Sequence, residues 1–423
     1  MLRRFVGIDL GTSGLRLIVL DADGACALQL RRPWPEGRER SPQTWLEAVR
    51  SLLRAVSEQL PREPVALAVD GTSGSLLLLD AAGMPVAPAL MYDDARALRE
   101  AARLEAIAPR DSAAHGATSS AAKLLWLRAQ GALAGASRVL HQAEWIAAQL
   151  RGQFSHGDEN NALKLGYDPM AGGWPAWWRE ELGEYARLLP EIVATGTPLG
   201  RIDSAWAAET GLHPESQVVA GTTDSIAGFL ATGVNDTSTG VTSLGSTLVV
   251  KQLCDRPLFD PETGVYSHRV LGRWLVGGAS NGGGAVLAKY FLHEQLDRLS
   301  TRIDPQADSG LDYYPLPGPG ERFPVSDPAY LPRLDPRPAD DALFLHGMLE
   351  GIARIEAAGY RRLAELGTAP VKRIVTVGGG ARNAAWTAIR ARLNGVPIAN
   401  APHEEAAWGA ALLAMHGFGA ARD

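Results

Sequence analysis

The feature that most constrains the fold is a short turn rich in glycine, serine and threonine between two apolar runs, because it occurs twice. Near the N-terminus, the turn Gly11–Gly14 separates the runs FVGIDL and LRLIVLD. In the second half, the segment GVTSLGSTLVVK places Gly245–Thr247 between two similar runs. Large aliphatic and β-branched residues on both sides of such a turn predict a β-hairpin. The second half of the chain therefore predicts a hairpin of the same kind as the first.

The region after the first hairpin predicts an α/β domain. The segment SPQTWLEAVRSLLRAVSEQL predicts a helix, because Ser41 can cap its N-terminus and Pro42 suits the first helical position. The strand-like run VALAVD follows, and strands that alternate with helices indicate an α/β class. A chain of 423 residues can form more than one core. We expect two domains, residues 1–218 and 219–423, since QVVAGTTDS begins a new strand.

Charge and cysteine content exclude several classes of protein. The net charge of −6, without a cluster of basic residues, argues against a nucleic-acid partner. The sequence lacks the run of about 18 apolar residues that a membrane span needs. Cys26 and Cys254 are far apart and are interpreted as small core residues, which suits a reducing compartment. We therefore expect a cytoplasmic protein, monomeric or homodimeric. The proline-rich segment 314–338 is predicted to be an ordered loop or, alternatively, a flexible tether.

The two predicted turns lack the motifs of the common nucleotide-binding loops. A P-loop and a dinucleotide-binding loop both lead into a helix, whereas LRLIVLD is strand-like. Backbone N–H groups at such a tip, with the hydroxyls of Thr12 and Ser13, can hold an anion. Two tips that face each other across an interdomain cleft could hold a polyphosphate, and Asp9 could bind Mg²⁺ through water. The alternative is that both are plain hairpin turns.

Two further motifs complete a predicted phosphoryl-transfer site. In TVGGGARN a strand enters a triple-glycine turn, where a base or ribose could pack directly on the backbone. In AGTTDSIAG, Asp224 follows a strand and begins an apolar helix. Transfer of a phosphoryl group to an alcohol needs a carboxylate that accepts the hydroxyl proton, so Asp224 is the candidate base. The alternative role, capping of the helix, is compatible with that function.

In their order along almost the whole chain, the motifs GIDLGTSGLR, GTTDSIAG, TSLGST and GGGARN resemble those of the FGGY carbohydrate kinases. That resemblance implies a two-lobed, actin-like and ribonuclease-H-like fold with a duplicated domain and an interdomain cleft, and it implies ATP and Mg²⁺ as cofactors. It implies that Asp224 is the general base. The expected ATP-binding residues are Thr12, Ser13, Gly245, Ser246, Thr247, Gly282, Gly283, Gly378, Gly379, Gly380, Ala381, Arg382 and Asn383. The expected substrate-binding residues are Asp9, Thr12, Ser13, Gly14, Leu15, Asp94, Arg96, Glu144 and Asp224.

The predicted sugar site rests on three segments of the first half. MYDDAR is similar to the Trp-Asn-Asp-x-Arg segment of xylulokinases, which implies that Asp94 and Arg96 lie near the sugar. HQAEW and GDENNALKLGYD resemble later family segments, so Glu144, Asp158 and Asn161 are secondary candidates. Carboxylate and amide groups suit polyols, because each hydroxyl both donates and accepts. Each of these residues could instead be an ordinary surface polar group.

One departure from the family pattern bears on the choice of sugar. Where xylulokinases carry Gln-Met-His, this chain has Thr72, Ser73 and Gly74. The segments VDGTSGSLLLLD and NNALKLGYDP are most similar to those of the short D-ribulose kinases of cyanobacteria and plant plastids. The expected reaction is phosphorylation of D-ribulose to D-ribulose 5-phosphate, with D-xylulose or another pentulose or polyol as the alternative. An actin- or chaperone-type nucleotide switch is the alternative of another class, although it would have no use for the polar segments of the first lobe.

Overall fold

The computed structural model describes residues 4–37 and 40–419 in two compact units. The first unit comprises the chain up to Ala231 together with the segment from Glu405 onward, and the second comprises Thr232–Glu404. The observed division thus differs from the expected boundary at residue 218. Among the described residues, no helix has both the length and the apolar character needed to cross a bilayer.

The first unit is built on a six-stranded mixed sheet within the described residues. Its strand order is β3-β2-β1-β4-β10-β9, in which β1, β4 and β10 are parallel and β1, β2 and β3 are antiparallel. The strands of this unit are β1 (Arg4–Leu10), β2 (Gly14–Asp21), β3 (Cys26–Pro33), β4 (Val65–Gly71), β5 (Leu76–Leu79), β6 (Arg138–His141), β7 (His156–Asp158), β8 (Glu191–Val193), β9 (Pro198–Arg201) and β10 (Gln217–Thr223). The predicted first hairpin is therefore β1–β2.

Helices cover the first sheet and a second cluster of apolar side chains beside it. They are α1 (Pro42–Gln59), α2 (Leu98–Ile107), α3 (Ser120–Ala129), α4 (Gln142–Arg151), α5 (Ala176–Leu182), α6 (Ser204–Thr210) and α7 (Asp224–Ala231). Helix α1 begins as predicted, because the side chain of Ser41 accepts the N–H of Thr44 and Pro42 follows it. Three tryptophans pack in the second cluster, with Trp178 fully buried and Trp174 and Trp177 partly buried against it.

The second unit repeats the strand pattern of the first. Its sheet has the order β13-β14-β12-β11-β15-β16, with an antiparallel hairpin β11–β12 and parallel neighbours β11, β15 and β16. Its strands are β11 (Thr239–Leu244), β12 (Leu248–Cys254), β13 (Tyr266–Val270), β14 (Arg273–Ser280), β15 (Arg373–Val377) and β16 (Ile398–Asn400), and its helices are α8 (Gly284–Ala288), α9 (His293–Ser300), α10 (Asp341–Leu366) and α11 (Ala384–Asn394). The predicted duplication is thus confirmed at the level of sheet topology.

The last helix, α12 (Ala406–Gly419), returns to the first unit. It packs closely on β1 and α7 because glycines stand at the contacts. A Cβ on Gly7 would lie 1.9 Å from the carbonyl oxygen of Ala407, and one on Gly409 would lie 1.8 Å from that of Ala227. Strand β10 also belongs to the first sheet, through its pairing with β4. These two contacts explain why residues 219–231 and 405–419 belong to the first unit.

Two smaller expectations have different outcomes. Cys254 is buried, but Cys26 is exposed at the start of the outermost strand β3, so the prediction of a core position for Cys26 was wrong. The proline-rich segment 314–338 is an ordered loop, as predicted. Tyr314 and Arg333 exchange backbone hydrogen bonds of 2.8 and 3.1 Å, and Glu321 and Asp327 do the same at 2.8 and 3.0 Å.

Candidate active site

Three carboxylates of the first unit lie at the carboxyl ends of adjacent parallel strands. Asp9 of β1 is the register partner of Asp70 of β4, and Asp70 is in turn the partner of Thr222 of β10. Asp224 follows β10 directly and is the first residue of α7. Ligand sites of α/β sheets form at this edge, where loops leave the carboxyl ends of the strands.

The three carboxylates differ in their surroundings. Asp9 and Asp70 are buried, whereas Asp224 is partly exposed. Burial raises the pKa of Asp9, although its 2.9 Å ion pair with Arg16 acts in the opposite direction. Burial also raises the pKa of Asp70 well above its ordinary value, and the charges of Asp9 and Asp224 raise it further. Apart from the neighbouring carboxyl group of Asp9, the two buried carboxyl oxygens of Asp70 have no hydrogen-bond partner among the described residues. Asp224 is thus the most accessible carboxylate of the three.

The glycine turn that follows β1 exposes the predicted phosphate-binding side chains. Thr12 and Ser13 are exposed, while Gly11 donates its N–H to the carbonyl of Gly14 at 3.1 Å. The indole of Trp34 donates to the carbonyl of Gly11 at 2.9 Å and so fixes the turn. Leu15 is different, because its side chain is 1% exposed in the core. The prediction that Leu15 binds substrate can therefore apply to its backbone only.

Asp94 and Arg96, predicted near the sugar, form an ion pair with each other. The Nε atom of Arg96 lies 2.8 Å from Oδ1 of Asp94, and the guanidinium stacks over Trp126 with 5.1 Å to the ring centroid. Although partial burial alone would raise the pKa of Asp94, hydrogen bonds from Arg96 hold it below its usual value. Asp94 is therefore ionised at neutral pH, as a hydroxyl-binding carboxylate needs to be.

The secondary sugar candidates form a buried network of the fold. The oxygens of Glu144 accept the backbone N–H of His141 at 2.7 Å and that of Asp158 at 2.9 Å. Asp158 accepts the backbone N–H groups of Asn160 and Asn161, both at 2.9 Å. Burial, followed by the charge of Glu144, raises the pKa of Asp158 to about 8. Because Glu144 and Asp158 accept these N–H groups, the geometry favours a structural role for both rather than direct contact with sugar, whereas Oδ1 of Asn161 is buried without a hydrogen-bond partner among the described residues.

The turn Thr72–Ser75 is held by hydrogen bonds from buried side chains. Ser75, Gln142 and Lys123 were not among the candidates from the sequence. The hydroxyl of Thr72 lies 2.6 Å from that of Ser75 and donates to Oε1 of Gln142 at 2.9 Å. Lys123, which is fully buried in α3, donates its ammonium to the carbonyls of Gly74 at 2.8 Å and Met91 at 2.6 Å. Burial lowers the pKa of Lys123 to about 8. Lys123 therefore ties this turn to the segment that carries Asp94.

In the second unit, the tip of the hairpin β11–β12 is fastened to the start of α8. Gly284 and Ala285 donate their N–H groups to the carbonyls of Gly245 at 2.9 Å and Ser246 at 3.0 Å. Gly283 has φ of +149°, and a Cβ there would lie 2.7 Å from the carbonyl carbon of Thr247, so only glycine fits. The predicted phosphate-binding segments Gly245–Thr247 and Gly282–Gly283 are therefore one structural feature.

The triple-glycine turn begins at the same edge of the second sheet. Gly378 follows β15, whose last residue Val377 is the register partner of Ser243. A Cβ on Gly378 would lie 2.7 Å from the carbonyl oxygen of Leu244, so the turn packs directly on the hairpin. Asn383 caps α11, where its side chain accepts the N–H of Trp386 at 3.0 Å. Beside this turn, an open cavity of about 510 Å³ is lined by Ala381, Arg382, Ala384, Thr387, Ala388, Ala391, Ile398, Ala399 and Asn400.

Two residues of the site, Asp70 and Lys123, were missed from the sequence. Asp70 does have a sequence signal, because VALAVDG ends in an aspartate before glycine, as GIDLG does. Two strands that each end in such an aspartate would place both carboxylates at one edge if they were parallel neighbours. Lys123 has no comparable signal, since a lysine in the helical run AAKLLWLRA resembles a surface residue.

Both units match family models of one kind. Residues 4–231 match the N-terminal domain of the FGGY family of carbohydrate kinases, and residues 236–418 match its C-terminal domain. The xylulose kinase of Escherichia coli is 26% identical over 92% of this chain and 85% of its own length. That of Streptomyces coelicolor is 27% identical over 93% of this chain and 83% of its own length.

Solved structures share the fold. A xylulose kinase from Brucella ovis aligns with a TM-score of 0.88 at 24% identity and covers 99% of this chain and 91% of its own. A gluconate kinase from Lactobacillus acidophilus aligns with a TM-score of 0.87 at 17% identity and covers 100% of this chain and 91% of its own. The two-domain α/β fold expected from the sequence is therefore confirmed.

Proposed function

Because the chain belongs to the FGGY family of carbohydrate kinases, we propose that it transfers the γ-phosphoryl group of ATP to the terminal hydroxyl of D-ribulose. The observation that carries the proposal is the row of Asp9, Asp70 and Asp224 at one sheet edge, with only Asp224 partly exposed. In this proposal Asp224 accepts the hydroxyl proton as the bond to phosphorus forms. D-Ribulose 5-phosphate and ADP are the products.

The proposed ATP site uses the glycine turns. In the first unit, the exposed hydroxyls of Thr12 and Ser13 can donate to phosphate oxygens. In the second unit, the turn Gly245–Thr247 offers hydroxyl and N–H donors of the same kind. Five of the nine residues that line the cavity beside Ala381 and Arg382 are alanines, which leave room for a flat base and a ribose.

The choice of D-ribulose rests on the turn Thr72–Ser75. Gly74, which stands where xylulokinases carry histidine, has φ of +89°, and a Cβ there would lie 3.2 Å from Cδ of Lys164. Histidine at this position would be strained and crowded. D-Xylulose is the second candidate, because the E. coli and Streptomyces coelicolor relatives are named xylulose kinases.

The sheet edge that carries Asp9, Asp70 and Asp224 also fits Mg²⁺. Burial and the charges of Asp9 and Asp224 disfavour the ionised form of Asp70, and a cation beside its carboxyl group would favour that form. In residues 4–37 and 40–419, no set of three His, Cys, Asp or Glu side chains is arranged to ligate a metal ion directly. We therefore assign Asp9 and Asp70 to a cation held through its water ligands. A bound cation neutralises part of the charge on the transferring phosphates.

Substitution of Asp70 by asparagine should weaken cation binding without loss of stability. Asparagine keeps the size of the side chain but removes its charge, so the affinity for Mn²⁺ in the presence of ADP should fall at least about tenfold. The melting temperature without cation should stay the same or rise, because asparagine replaces a carboxyl group whose ionised form is disfavoured by burial and by the charges of Asp9 and Asp224. Electron paramagnetic resonance of free Mn²⁺ and thermal melts measure the two effects.

Asp203→Asn is the matched control for this test. It removes one carboxylate from the same unit, at the N-cap of α6, where asparagine caps equally well. Its Mn²⁺ affinity should equal that of the wild type. If Asp70→Asn bound Mn²⁺ normally but melted earlier, Asp70 would be a structural residue and its assignment to the cation would fail.

A coupled ADP assay over a panel of sugars tests the proposed function. We expect kcat/KM for D-ribulose to exceed that for D-xylulose, L-ribulose and gluconate by at least about tenfold. Mass spectrometry of the product should show a phosphopentulose. A preference for D-xylulose would replace D-ribulose by the second candidate. ATP hydrolysis that is independent of sugar and gives no phosphorylated product would refute the kinase activity.

A further inference from the structure

The ordered proline-rich loop carries a buried glutamate that contacts the nucleotide-binding segment. Glu321 is 3% exposed, and its carboxylate accepts the hydroxyl of Ser280 at 2.6 Å and the backbone N–H of Asn281 at 2.7 Å. It also accepts the hydroxyl of Tyr314 at 3.0 Å and the N–H of Arg322 at 2.8 Å. The donors Ser280 and Asn281 directly precede Gly282 at the end of β14, and the donors Tyr314 and Arg322 belong to the loop itself.

Other contacts of the same loop strengthen this junction. The amide of Asn281 donates to the carbonyl of Gly320 at 2.9 Å, and Nε of Arg322 donates to the side-chain oxygen of Asn281 at 2.7 Å. Burial, with the charge of Glu321, raises the pKa of Tyr314, so its phenol remains a donor at neutral pH. The segment Ser280–Asn281 is thus held by the loop through both its backbone and its side chains.

This junction contacts the hairpin β11–β12 through Gly282 and the start of α8. The N–H of Gly282 donates to the hydroxyl oxygen of Ser280 at 2.9 Å, and its carbonyl accepts the N–H of Leu248 at 2.7 Å. Gly284 and Ala285 then bind the carbonyls of Gly245 and Ser246, as described above. Hydrogen bonds, together with the short backbone segment Gly282–Gly284, therefore connect Glu321 to the turn Gly245–Thr247.

We propose that Glu321 is a positioning residue for the nucleotide, which acts through Ser280 and Asn281 on the turn Gly245–Thr247. The inference rests on the proposed ATP site and adds the loop 314–338 to it. A carboxylate suits this task because it accepts several N–H and O–H groups at once, and hydrogen bonds to a charged acceptor are stronger than neutral ones. No atom of Glu321 needs to touch ATP.

The test measures ADP binding by isothermal titration calorimetry in the presence of Mg²⁺, together with KM for ATP and for D-ribulose. Glu321→Ala should raise both the Kd for ADP and the KM for ATP at least about tenfold, because small displacements of binding groups are costly. KM for D-ribulose should stay close to the wild-type value, since the proposed sugar residues belong to the first unit. Glu321→Gln, which keeps the shape, should show a smaller effect in the same direction.

Asp236→Asn is the control. Asp236 accepts the hydroxyl of Thr239 at 2.8 Å at the start of β11, whereas Gly245–Thr247 follows the other end of that strand. Asp236→Asn should lower the melting temperature but leave the Kd for ADP unchanged. A Glu321 variant that did the same would overturn the inference, because Glu321 would then only stabilise the fold.

A double-mutant cycle keeps the inference testable if Glu321→Ala does not fold. If Glu321 acts through Ser280, the effects of Glu321→Gln and Ser280→Ala on the Kd for ADP should be non-additive. Additive effects would overturn the proposed route. Failure of the wild type itself to bind ADP would overturn the ATP site and this inference together, whereas normal ADP binding by every variant would overturn this inference alone.

Discussion

Replacement of Asp224 by asparagine should lower kcat by about three orders of magnitude, because an amide cannot take the proton from the sugar hydroxyl. The local structure should survive this change. Asp224 begins α7, and its Oδ1 accepts the N–H of Ser225 at 2.7 Å, a bond that an asparagine oxygen can also accept. Steady-state kinetics give kcat, and calorimetry should show that ADP still binds.

Asp203→Asn serves as the control here as well, since it makes the same chemical change at another helix start of the same unit. Its kcat should be close to that of the wild type. A kcat for Asp224→Asn within about tenfold of the wild type would remove Asp224 from the role of base and leave it as the first residue of a helix.

The second large effect is expected on stability, from Arg390→Met. Arg390 of α11 is fully buried and makes two hydrogen bonds of 2.7 Å to the carboxylate of Glu356 of α10, and one of 3.0 Å to Thr376. Methionine would leave Glu356 as a buried charge without its main partner, which costs about 3–5 kcal/mol. Urea denaturation followed by circular dichroism measures the loss in the free energy of unfolding.

Two further variants separate loss of the ion pair from loss of packing. The double variant Arg390→Met with Glu356→Met should recover much of the stability, because no unpaired charge remains. Arg362→Met breaks an exposed ion pair with Glu365 in the same unit and should cost less than about 1 kcal/mol. A loss for Arg390→Met no larger than that for Arg362→Met would show that burial of the pair has little energetic weight.

Features set by neighbouring residues in the chain were predictable from the sequence. The hairpins β1–β2 and β11–β12 follow from apolar runs around short turns, and α1 begins at its predicted cap, Ser41. The exposure of Thr12 and Ser13 follows from their position at a hairpin tip. Such features depend on local conformation, which the sequence shows directly.

Features set by pairing between distant segments were not predictable in the same way. Asp70 joins the site only because β4 pairs in parallel with β1 and places it beside Asp9. Lys123 is buried because two backbone carbonyls, of Gly74 and Met91, converge on its ammonium. The expected boundary at residue 218 was set by the start of a strand, but that strand, β10, belongs to the sheet of the preceding unit.

The return of α12 to the first unit also affects the order of folding during synthesis. Domains usually fold in the order in which they leave the ribosome. Here all secondary-structure elements of the segment Thr232–Glu404 are translated before α12, whereas the sheet containing β1 gains the helix that packs on it only at the end. We therefore expect the later-translated unit to become protease-resistant first. In nascent chains that stop before Ala406, the first unit should lack α12 and remain incompletely folded, so that chaperones can bind it.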